Sequence, residues 1–103
     1  MHYKVFHSTT FDKELSKYPK EFNEWLEKIK NQLIENPYVG DQLRVKWFRE
    51  KKHGKFRGYY LIYDDLKTVY LVAISAKNDQ QIIIDTIWLL LDNFKEEIEN
   101  LLK

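Results

Sequence analysis

The chain has 103 residues, and 44% of them are hydrophobic, which is enough for one modest core, so we expect a single domain over residues 1–103. It has no cysteine, which excludes disulfides and thiolate chemistry and suits a reducing, cytoplasmic setting. The net charge is only +1, but residues 41–77 carry nine Lys or Arg against four Asp or Glu, and residues 78–103 carry two against six. This asymmetry predicts an anionic partner for the middle of the chain.

The start of the chain contains no long apolar segment of the kind found in secretion signals. The longest apolar stretch, residues 82–91, is interrupted by Asp85 and Thr86 and is too short to cross a bilayer. We therefore expect neither a cleaved signal nor a membrane partner.

The first third of the chain predicts a strand followed by a helical hairpin. Residues 3–7 are rich in aromatic and β-branched side chains, which favour a short strand. Apolar residues at helical spacing then predict two helices over residues 10–36, with a break near Pro19. The first helix has three candidate N-caps, of which the last is best placed: Ser8, Thr9 and Thr10.

The middle of the chain begins with an alternating segment. Leu43, Val45 and Trp47 are apolar, and the residues between them are cationic. A period of two indicates a half-buried strand, which would place Arg44 and Lys46 together on its other face.

Two further strands are predicted after this one. Residues 51–55 predict a charged turn with Gly54 at its bend. Aromatic and β-branched runs then indicate strands over Gly58–Asp64 and Thr68–Ala76, joined by a hairpin loop at residues 65–67.

The last part of the chain predicts one long helix over Gln80–Lys103, with Asp79 as its N-cap. Apolar residues cover most of its circumference, which predicts either deep burial or contact with a partner or a second copy of the chain. The predicted order is β-α-α-β-β-β-α. This order is typical of an α+β fold, with helices packed on a small, mainly antiparallel sheet.

Several kinds of catalytic site are poorly supported by the sequence. The three histidines lack metal-ligand spacing, the serines lack a nucleophile-elbow context, and three scattered glycines cannot form a phosphate-binding loop. Adjacent Asp64 and Asp65 are typical of a turn rather than of a catalytic carboxylate pair. We therefore expect neither a metal nor another cofactor.

The basic segment over residues 44–57 is the strongest candidate for a functional site, although a charged, solvated sheet face would have the same composition. Its cations alternate with aromatic residues, a combination that neutralises phosphates and stacks bases. Lys77 follows the last predicted strand, so the sheet could bring it close to Arg44 and Lys46, where cations would stabilise charge on a phosphate. We predict that RNA is bound by six further residues: Arg49, Lys51, Lys52, Lys55, Tyr59 and Tyr60.

Six short segments, in this order and spacing, resemble the RelE/ParE superfamily of toxins from type II toxin–antitoxin systems: residues 11–15, 18–20, 36–37, 43–46, 58–63 and 77–80. The first two are similar to the family pattern F-x-K-x-L followed by L-P-K. Residues 54–58, together with the end of the last strand and the following Lys77, are most similar to the HigB-like branch.

The resemblance implies a RelE-like fold and an mRNA endoribonuclease that acts on ribosomes, needs no metal and is neutralised by a cognate antitoxin. It implies a catalytic set that binds phosphate, activates the ribose 2′-hydroxyl and stabilises developing charge. Matched position by position, that set is Arg44, Lys46, Arg57 and Lys77.

Two departures from the family pattern leave alternatives open. Tyr60 occupies the position of the family's strand arginine, and no tyrosine follows Tyr70 to match a C-terminal catalytic tyrosine. Arg57 lies three residues before Tyr60, so strand periodicity places it on the opposite face unless a bulge intervenes. The alternatives are a non-enzymatic ParE-like inhibitor of a protein such as DNA gyrase, or a degenerate RelE-fold binding module.

Overall fold

The computed structural model describes residues 2–103, which form a five-stranded sheet with helices on both faces. The strand order is β1-β5-β4-β3-β2, and all neighbours are antiparallel except the parallel pair β1 and β5. This confirms the predicted α+β class and the mainly antiparallel sheet. The elements are β1 Lys4–His7, α1 Thr9–Leu15, α2 Lys20–Glu35, β2 Asp41–Gln42, β3 Phe48–His53, β4 Phe56–Tyr63, β5 Thr68–Ala76, α3 Gln80–Leu89 and α4 Leu91–Leu101.

The predicted helical hairpin is confirmed, with α1 and α2 separated around Pro19. The expected cap at Thr10 is wrong, because Ser8 is the N-cap and its hydroxyl accepts the N–H of Phe11 at 3.0 Å. Ser8 also donates its own backbone N–H to Leu71, so the same residue ends β1 against β5 and begins α1. That double role could not be read from helix periodicity alone.

The predicted strand through Leu43, Val45 and Trp47 is wrong. These residues form a tight loop between β2 and β3, closed by hydrogen bonds from the N–H of Leu43 to the carbonyl of Phe48 at 2.9 Å and from the N–H of Phe48 to Val45 at 3.1 Å. Both of these backbone hydrogen bonds run between the loop and Phe48, the first residue of β3, so residues 43–47 are not a pleated strand. Arg44 and Lys46 therefore do not lie together on one strand face as predicted. The pairing strand is shorter and lies earlier, at Asp41–Gln42.

The strands β3, β4 and β5 are successive antiparallel neighbours, and β4 and β5 match the two strands predicted over Gly58–Asp64 and Thr68–Ala76. The turn predicted over residues 51–55 is shorter, because β3 continues to His53. Gly54 stands in the β3–β4 turn with φ +58, a conformation that glycine adopts without steric cost. A short 3₁₀ turn at Asp64–Leu66 connects β4 to β5, which confirms the turn role predicted for the two aspartates.

The two faces of the sheet cover separate cores. The α1/α2 face carries the core that includes Leu26, Tyr60 and Leu71, and the α3/α4 face carries the core that includes Tyr59, Tyr70 and others. The register between β4 and β5 slips by one residue at Tyr59 and Tyr60, so β5 has an extra residue there while β4 keeps its strict alternation.

The predicted single C-terminal helix is wrong, because it breaks at Leu90 into α3 and α4. The N–H of Leu90 bonds to Ile87, three residues earlier, which tightens the last turn of α3. Asp79 precedes α3 as predicted, but its side chain makes no capping bond, because a 3₁₀ turn over Lys77–Asp79 leads directly into the helix. Within residues 2–103, no helix is long and apolar enough to cross a membrane.

Candidate functional site

The predicted catalytic cations do not meet at one place. Arg44 and Lys46 lie in the loop before β3, whereas the backbone N–H of Lys77 bonds to the carbonyl of Lys55 at 2.7 Å, beside the β3–β4 turn. These positions are at opposite ends of β3, which has six residues and therefore spans about 20 Å. The expectation that the sheet brings Lys77 close to Arg44 and Lys46 is therefore wrong.

Arg44 is held against α3. Its guanidinium forms an ion pair with Asp85 and lies over the ring of Trp88, 5.3 Å from the ring centroid. The ring of Trp88 stacks in turn on Trp47, with 6.0 Å between centroids and an interplanar angle of 5°. Trp47 is 39% exposed, so this aromatic stack reaches the surface.

Lys46 and Arg49 both lie over the ring of Tyr38, each 5.1 Å from its centroid. Arg49 also donates to the backbone carbonyls of Lys46, Tyr38 and Gly40. Its guanidinium therefore ties two loops together, a structural role, and it lies on the α1/α2 face because it pairs with Tyr60 in the register of the sheet.

A second group of polar side chains gathers on the α3/α4 face, at the end of the sheet next to the β3–β4 turn. We call it the hairpin-end cluster. Period-two alternation along β3, β4 and β5 directs these side chains to the same face. Its members are Glu50, Arg57, Tyr59, Ser75 and, from the first turn of α3, Gln80.

Arg57 is the buried cation of this cluster, with only 6% of its surface exposed. One terminal nitrogen of its guanidinium donates to the carbonyls of Gly54 and Phe56, both at 2.9 Å. Its Nε is buried without a hydrogen-bond partner, and within residues 2–103 no carboxylate lies close enough to form an ion pair with it. A buried donor left in this state costs stability, so such exceptions mark candidate functional sites.

Glu50 is the buried acid of the cluster, and the sequence analysis did not identify it as a site residue. It is 3% exposed, and it accepts a hydrogen bond from the side chain of Gln80 at 2.6 Å. The signal was present in the sequence, since Glu50 is two residues after the buried Phe48 and therefore shares its face. Glu50 is the one acid among the seven cations of residues 44–57, so the net charge of the segment gives no indication of its burial.

Tyr59 lies between the two buried charges and cannot stack on RNA bases, because its side chain is fully buried. Ser75 donates to the carbonyl of Ala76 at 2.9 Å, so the 2.8 Å contact between Ser75 and Tyr59 is a hydrogen bond donated by the phenol. Burial raises the pKa of Tyr59, so the phenol stays neutral at physiological pH. The predicted stacking role of Tyr59 is therefore wrong.

The predicted stacking role of Tyr60 is also wrong. Its side chain is fully buried on the α1/α2 face, where its hydroxyl bonds to the backbone of Pro37 and Gly40. Because β4 keeps its alternation, Arg57 points to the opposite face and does not replace the missing arginine at this position. A bulge on β4 between Arg57 and Tyr60 would have placed both side chains on the same face, but the bulge lies on β5.

The exposed lysines divide between the two faces. Lys52 pairs directly with Arg57 in the register, so it lies on the α3/α4 face, where its ammonium is 3.5 Å from Asp41. Lys51 points to the other face, at the edge of a shallow groove next to the end of α2. Lys55 lies over the ring of Phe56 at the turn, beside the backbone of Lys77. The structure therefore brings Lys52, Lys55 and Lys77 to the end of the sheet that holds the hairpin-end cluster.

No family model matches the chain, and no curated protein matches its sequence. Solved structures do match. A chain of the RelBE toxin–antitoxin complex from Mycobacterium tuberculosis is 25% identical, with a TM-score of 0.64, over 74% of this chain and 99% of that one.

Two further solved structures share the fold at lower identity. E. coli RelE in its free state is 16% identical, with a TM-score of 0.74, over 87% of this chain and 99% of that one. A chain of the archaeal RelE–RelB complex from Pyrococcus horikoshii is 17% identical, with a TM-score of 0.59, over 75% and 97%. The chain is therefore RelE-like: it has the fold of the RelE toxins, as the sequence resemblance predicted.

Proposed function

We propose that this chain is the toxin of a type II toxin–antitoxin system and that it cleaves mRNA on the ribosome, in the cytoplasm. The RelE-like fold supports the toxin assignment. RelE chains occur in complexes with RelB antitoxins in M. tuberculosis, E. coli and P. horikoshii, which supports an antitoxin partner for this chain.

The observation that carries the nuclease proposal is a pair of buried charges that do not neutralise each other. Glu50 and Arg57 are the two charged residues buried within residues 2–103, and they do not form an ion pair. Burying a charge without a partner is expensive, and folds retain such groups where they serve chemistry. Lys52 and Lys77 add positive charge at the same end of the sheet, which favours a phosphate as the ligand.

This set can perform metal-independent cleavage of RNA. The ribose 2′-oxygen attacks the adjacent phosphorus, and the bond to the 5′-oxygen of the next nucleotide breaks, leaving a 2′,3′-cyclic phosphate. Glu50 takes the 2′-hydroxyl proton, and Lys77 donates a proton to the leaving 5′-oxygen. Arg57 and Lys52 stabilise the charge that develops on the phosphate oxygens. Glu50 and Arg57 are 3% and 6% exposed, so in this proposal the side chain of Gln80 and the β3–β4 turn must move aside when RNA binds.

The remaining cations bind RNA outside the reacting phosphate in this proposal. Arg44 lies over Trp88, whose ring stacks on the exposed Trp47, and this arrangement suits an unpaired base stacked next to a phosphate contact. Lys46 and Lys55 extend the positive surface at the two ends of β3, and Lys51 and Arg49 lie on the other face, farthest from the cluster. Binding should weaken as salt concentration rises, because phosphate contacts release counterions.

Induced expression tests the proposal directly. We expect translation to stop and mRNA to be cleaved within coding regions. Lys77→Ala should relieve the arrest, and Arg57→Lys should weaken it, because an ammonium replaces the planar guanidinium. Lys28→Ala is the matched control, since Lys28 is an exposed cation of α2 on the far side of the sheet.

Three outcomes would contradict the proposal. Arrest that is unchanged by both Lys77→Ala and Arg57→Lys would show that neither Lys77 nor the hairpin-end cluster takes part in the chemistry. Arrest with intact mRNA would contradict nuclease activity, and a complete absence of toxicity would contradict the toxin assignment itself. Purified variants must first be shown to fold, by circular dichroism.

A ParE-like inhibitor of DNA gyrase is the second candidate. It is favoured by the separation of Arg44 and Lys46 from Lys77 and by the buried tyrosine at the position of the family's arginine. In that case induced cells would form filaments while their mRNA stays intact, and gyrase supercoiling assays would show inhibition by the purified chain. A RelE-fold binding module would cause neither effect.

A further inference from the structure

A cavity of about 480 Å³ opens at the end of the sheet opposite to the β3–β4 turn. Its most deeply buried lining residue is Ile62 of β4, whose N–H donates to the carbonyl of Trp47 at 2.8 Å and so ties the loop before β3 to the sheet. The turn after α2, the 3₁₀ turn after β4 and the start of α4 complete its walls. We call this cavity the loop-end pocket. Its volume is in the range that small-molecule ligands occupy.

Three aromatic side chains line the loop-end pocket: Tyr38, Trp47 and Tyr63. Lysines lie over two of these rings, Lys46 over Tyr38 at 5.1 Å and Lys95 over Tyr63 at 5.2 Å. Within residues 2–103 no cation lies over the ring of Trp47, which is 39% exposed. Trp47 is therefore the ring of the pocket on which a planar ligand can stack.

The lining also carries charges of both signs. Lys46 and Asp92 form no ion pair within residues 2–103. The other charged groups have partners, since Lys95 is 4.0 Å from Asp65, and Asp64 accepts a hydrogen bond from a tyrosine hydroxyl outside the pocket. The pocket therefore offers a ligand one ammonium group and one carboxylate, together with an aromatic ring.

We propose that the loop-end pocket binds a guanine base. The base stacks on Trp47, the carboxylate of Asp92 accepts the N1–H and N2–H of the base, and the ammonium group of Lys46 donates to O6. Stacking on an aromatic side chain and hydrogen bonds to the Watson–Crick edge are the usual means by which proteins recognise an unpaired base.

The mixture of charges decides against other classes of ligand. A purely anionic ligand would meet three carboxylates, and a cationic ligand such as a polyamine would meet two ammonium groups. A neutral base with donors and an acceptor side by side suits both signs. Among the four bases of RNA, only guanine presents two adjacent donors, N1–H and N2–H, that one carboxylate can accept together.

The loop-end pocket shares no lining residue with the hairpin-end cluster, so base binding there does not depend on nuclease activity. The same contacts recognise guanine in a free nucleotide and in an unpaired stretch of RNA, and the probes below separate these two sources.

A titration of the full chain, followed by tryptophan fluorescence, tests the proposal. Guanosine and adenosine 5′-monophosphates carry the same phosphate, so the difference between them reports the base alone. We expect the guanosine nucleotide to bind about tenfold more tightly. Two short oligouridine strands with a central guanosine or adenosine repeat the comparison in RNA. A guanine preference in the strands assigns the base to RNA, and one seen only with the mononucleotides assigns it to a free nucleotide. Both results support guanine recognition.

Asp92→Asn tests the contact that selects the base. The amide oxygen still accepts N1–H, but the amide nitrogen faces the N2 donor, so binding of guanosine monophosphate should fall about tenfold. The same nitrogen donates to the C2 oxygen of xanthine. The variant should therefore bind xanthosine 5′-monophosphate more tightly than the guanosine nucleotide, an inversion that a loss of folding cannot produce.

Glu96→Gln is the matched control, because Glu96 is also an exposed acid of α4 but lies outside the pocket. It should bind guanosine monophosphate as the unmodified chain does. Three results would overturn the proposal: equal binding of the guanosine and adenosine nucleotides, an equal loss in the control, or a preference for guanine that persists in Asp92→Asn. Tighter binding of free tryptophan would identify an amino acid as the ligand and would also overturn it.

Discussion

The hydroxyl of Tyr60 donates a hydrogen bond to the carbonyl oxygen of Pro37 across 2.7 Å. The same hydroxyl accepts the backbone N–H of Gly40 at 3.0 Å, so one phenol fixes both ends of the turn that follows α2. The tyrosine at the position of the family's arginine is therefore a buried anchor of the backbone. It is not a substitute for a catalytic cation.

Removing this hydroxyl should destabilise the fold. Tyr60→Phe leaves the Pro37 carbonyl and the Gly40 N–H without their partner, and each buried unsatisfied group costs about 1–3 kcal/mol. We expect the free energy of unfolding, measured by urea titration, to fall by about 2 kcal/mol or more. Tyr63→Phe is the control, because the Tyr63 hydroxyl makes no hydrogen bond within residues 2–103. Equal losses in both variants would contradict the anchoring role.

Tyr60 should also make stability depend on alkaline pH. Burial raises the pKa of Tyr60 to about 12, whereas tyrosine in an unfolded chain ionises near 10. The stabilising contribution is therefore complete below about pH 10 and is lost as the pH rises from about 10 to about 12. Urea titrations across this window should show a smaller decline for Tyr60→Phe than for the unmodified chain. Parallel declines would show that Tyr60 does not titrate in this way.

Gly40 should tolerate no side chain. A Cβ there would lie 2.5 Å from the hydroxyl of Tyr60 and 2.6 Å from the backbone oxygen of Glu50. The backbone oxygen is held in the sheet and cannot yield, so Gly40→Ala should cost about 1–3 kcal/mol, the usual range for overpacking. Gly54→Asn is the comparison, since nothing lies within 4 Å of a Cβ there and asparagine accepts the left-handed conformation. The melting temperature, measured by thermal unfolding, should be clearly higher for Gly54→Asn than for Gly40→Ala. The reverse order would contradict the clash.

Glu50→Gln should separate RNA cleavage from RNA binding. Glutamine keeps the size of the side chain but cannot take the 2′-hydroxyl proton, and general bases contribute about 10²–10⁴ in rate. We expect kcat on ribosome-bound mRNA to fall about a hundredfold or more, with RNA affinity unchanged or higher because a negative charge is removed.

Glu24→Gln provides the control for that experiment, because Glu24 is an exposed acid of α2. It should cleave at the normal rate. Undiminished cleavage by Glu50→Gln would show that another group is the base, and parallel losses of affinity and rate would indicate a binding role for Glu50.

The fold could be predicted well from periodicity. Helical spacing placed α1 and α2 around Pro19, because each helix buries one face. Aromatic and β-branched runs placed β4 and β5, which are buried on both faces. The errors arose where a tertiary contact decided the outcome. Ser8 rather than Thr10 caps α1, because Ser8 is also bonded to β5.

The site was less predictable for a related reason. The position of Lys77 directly after the last predicted strand suggested that the sheet brings it close to Arg44 and Lys46, but β3 separates them. Glu50 was missed, because its importance comes from burial beside Arg57, and burial depends on how α3 covers the sheet. Neither fact is encoded in the local pattern of charges.

The parallel pairing of β1 with β5 has a consequence for the order of events during synthesis. Lys4–His7 pairs with residues 68–71, so the first strand leaves the ribosome long before its partner exists. Both cores also include β5 side chains, and the hairpin-end cluster needs Ser75 and Gln80. Contacts between residues that are distant in sequence form late in folding. A nascent chain that ends before β5 therefore lacks part of both cores and cannot form the hairpin-end cluster. Under the proposed function, the chain cannot act on RNA until β5 and the first turn of α3 have been synthesised.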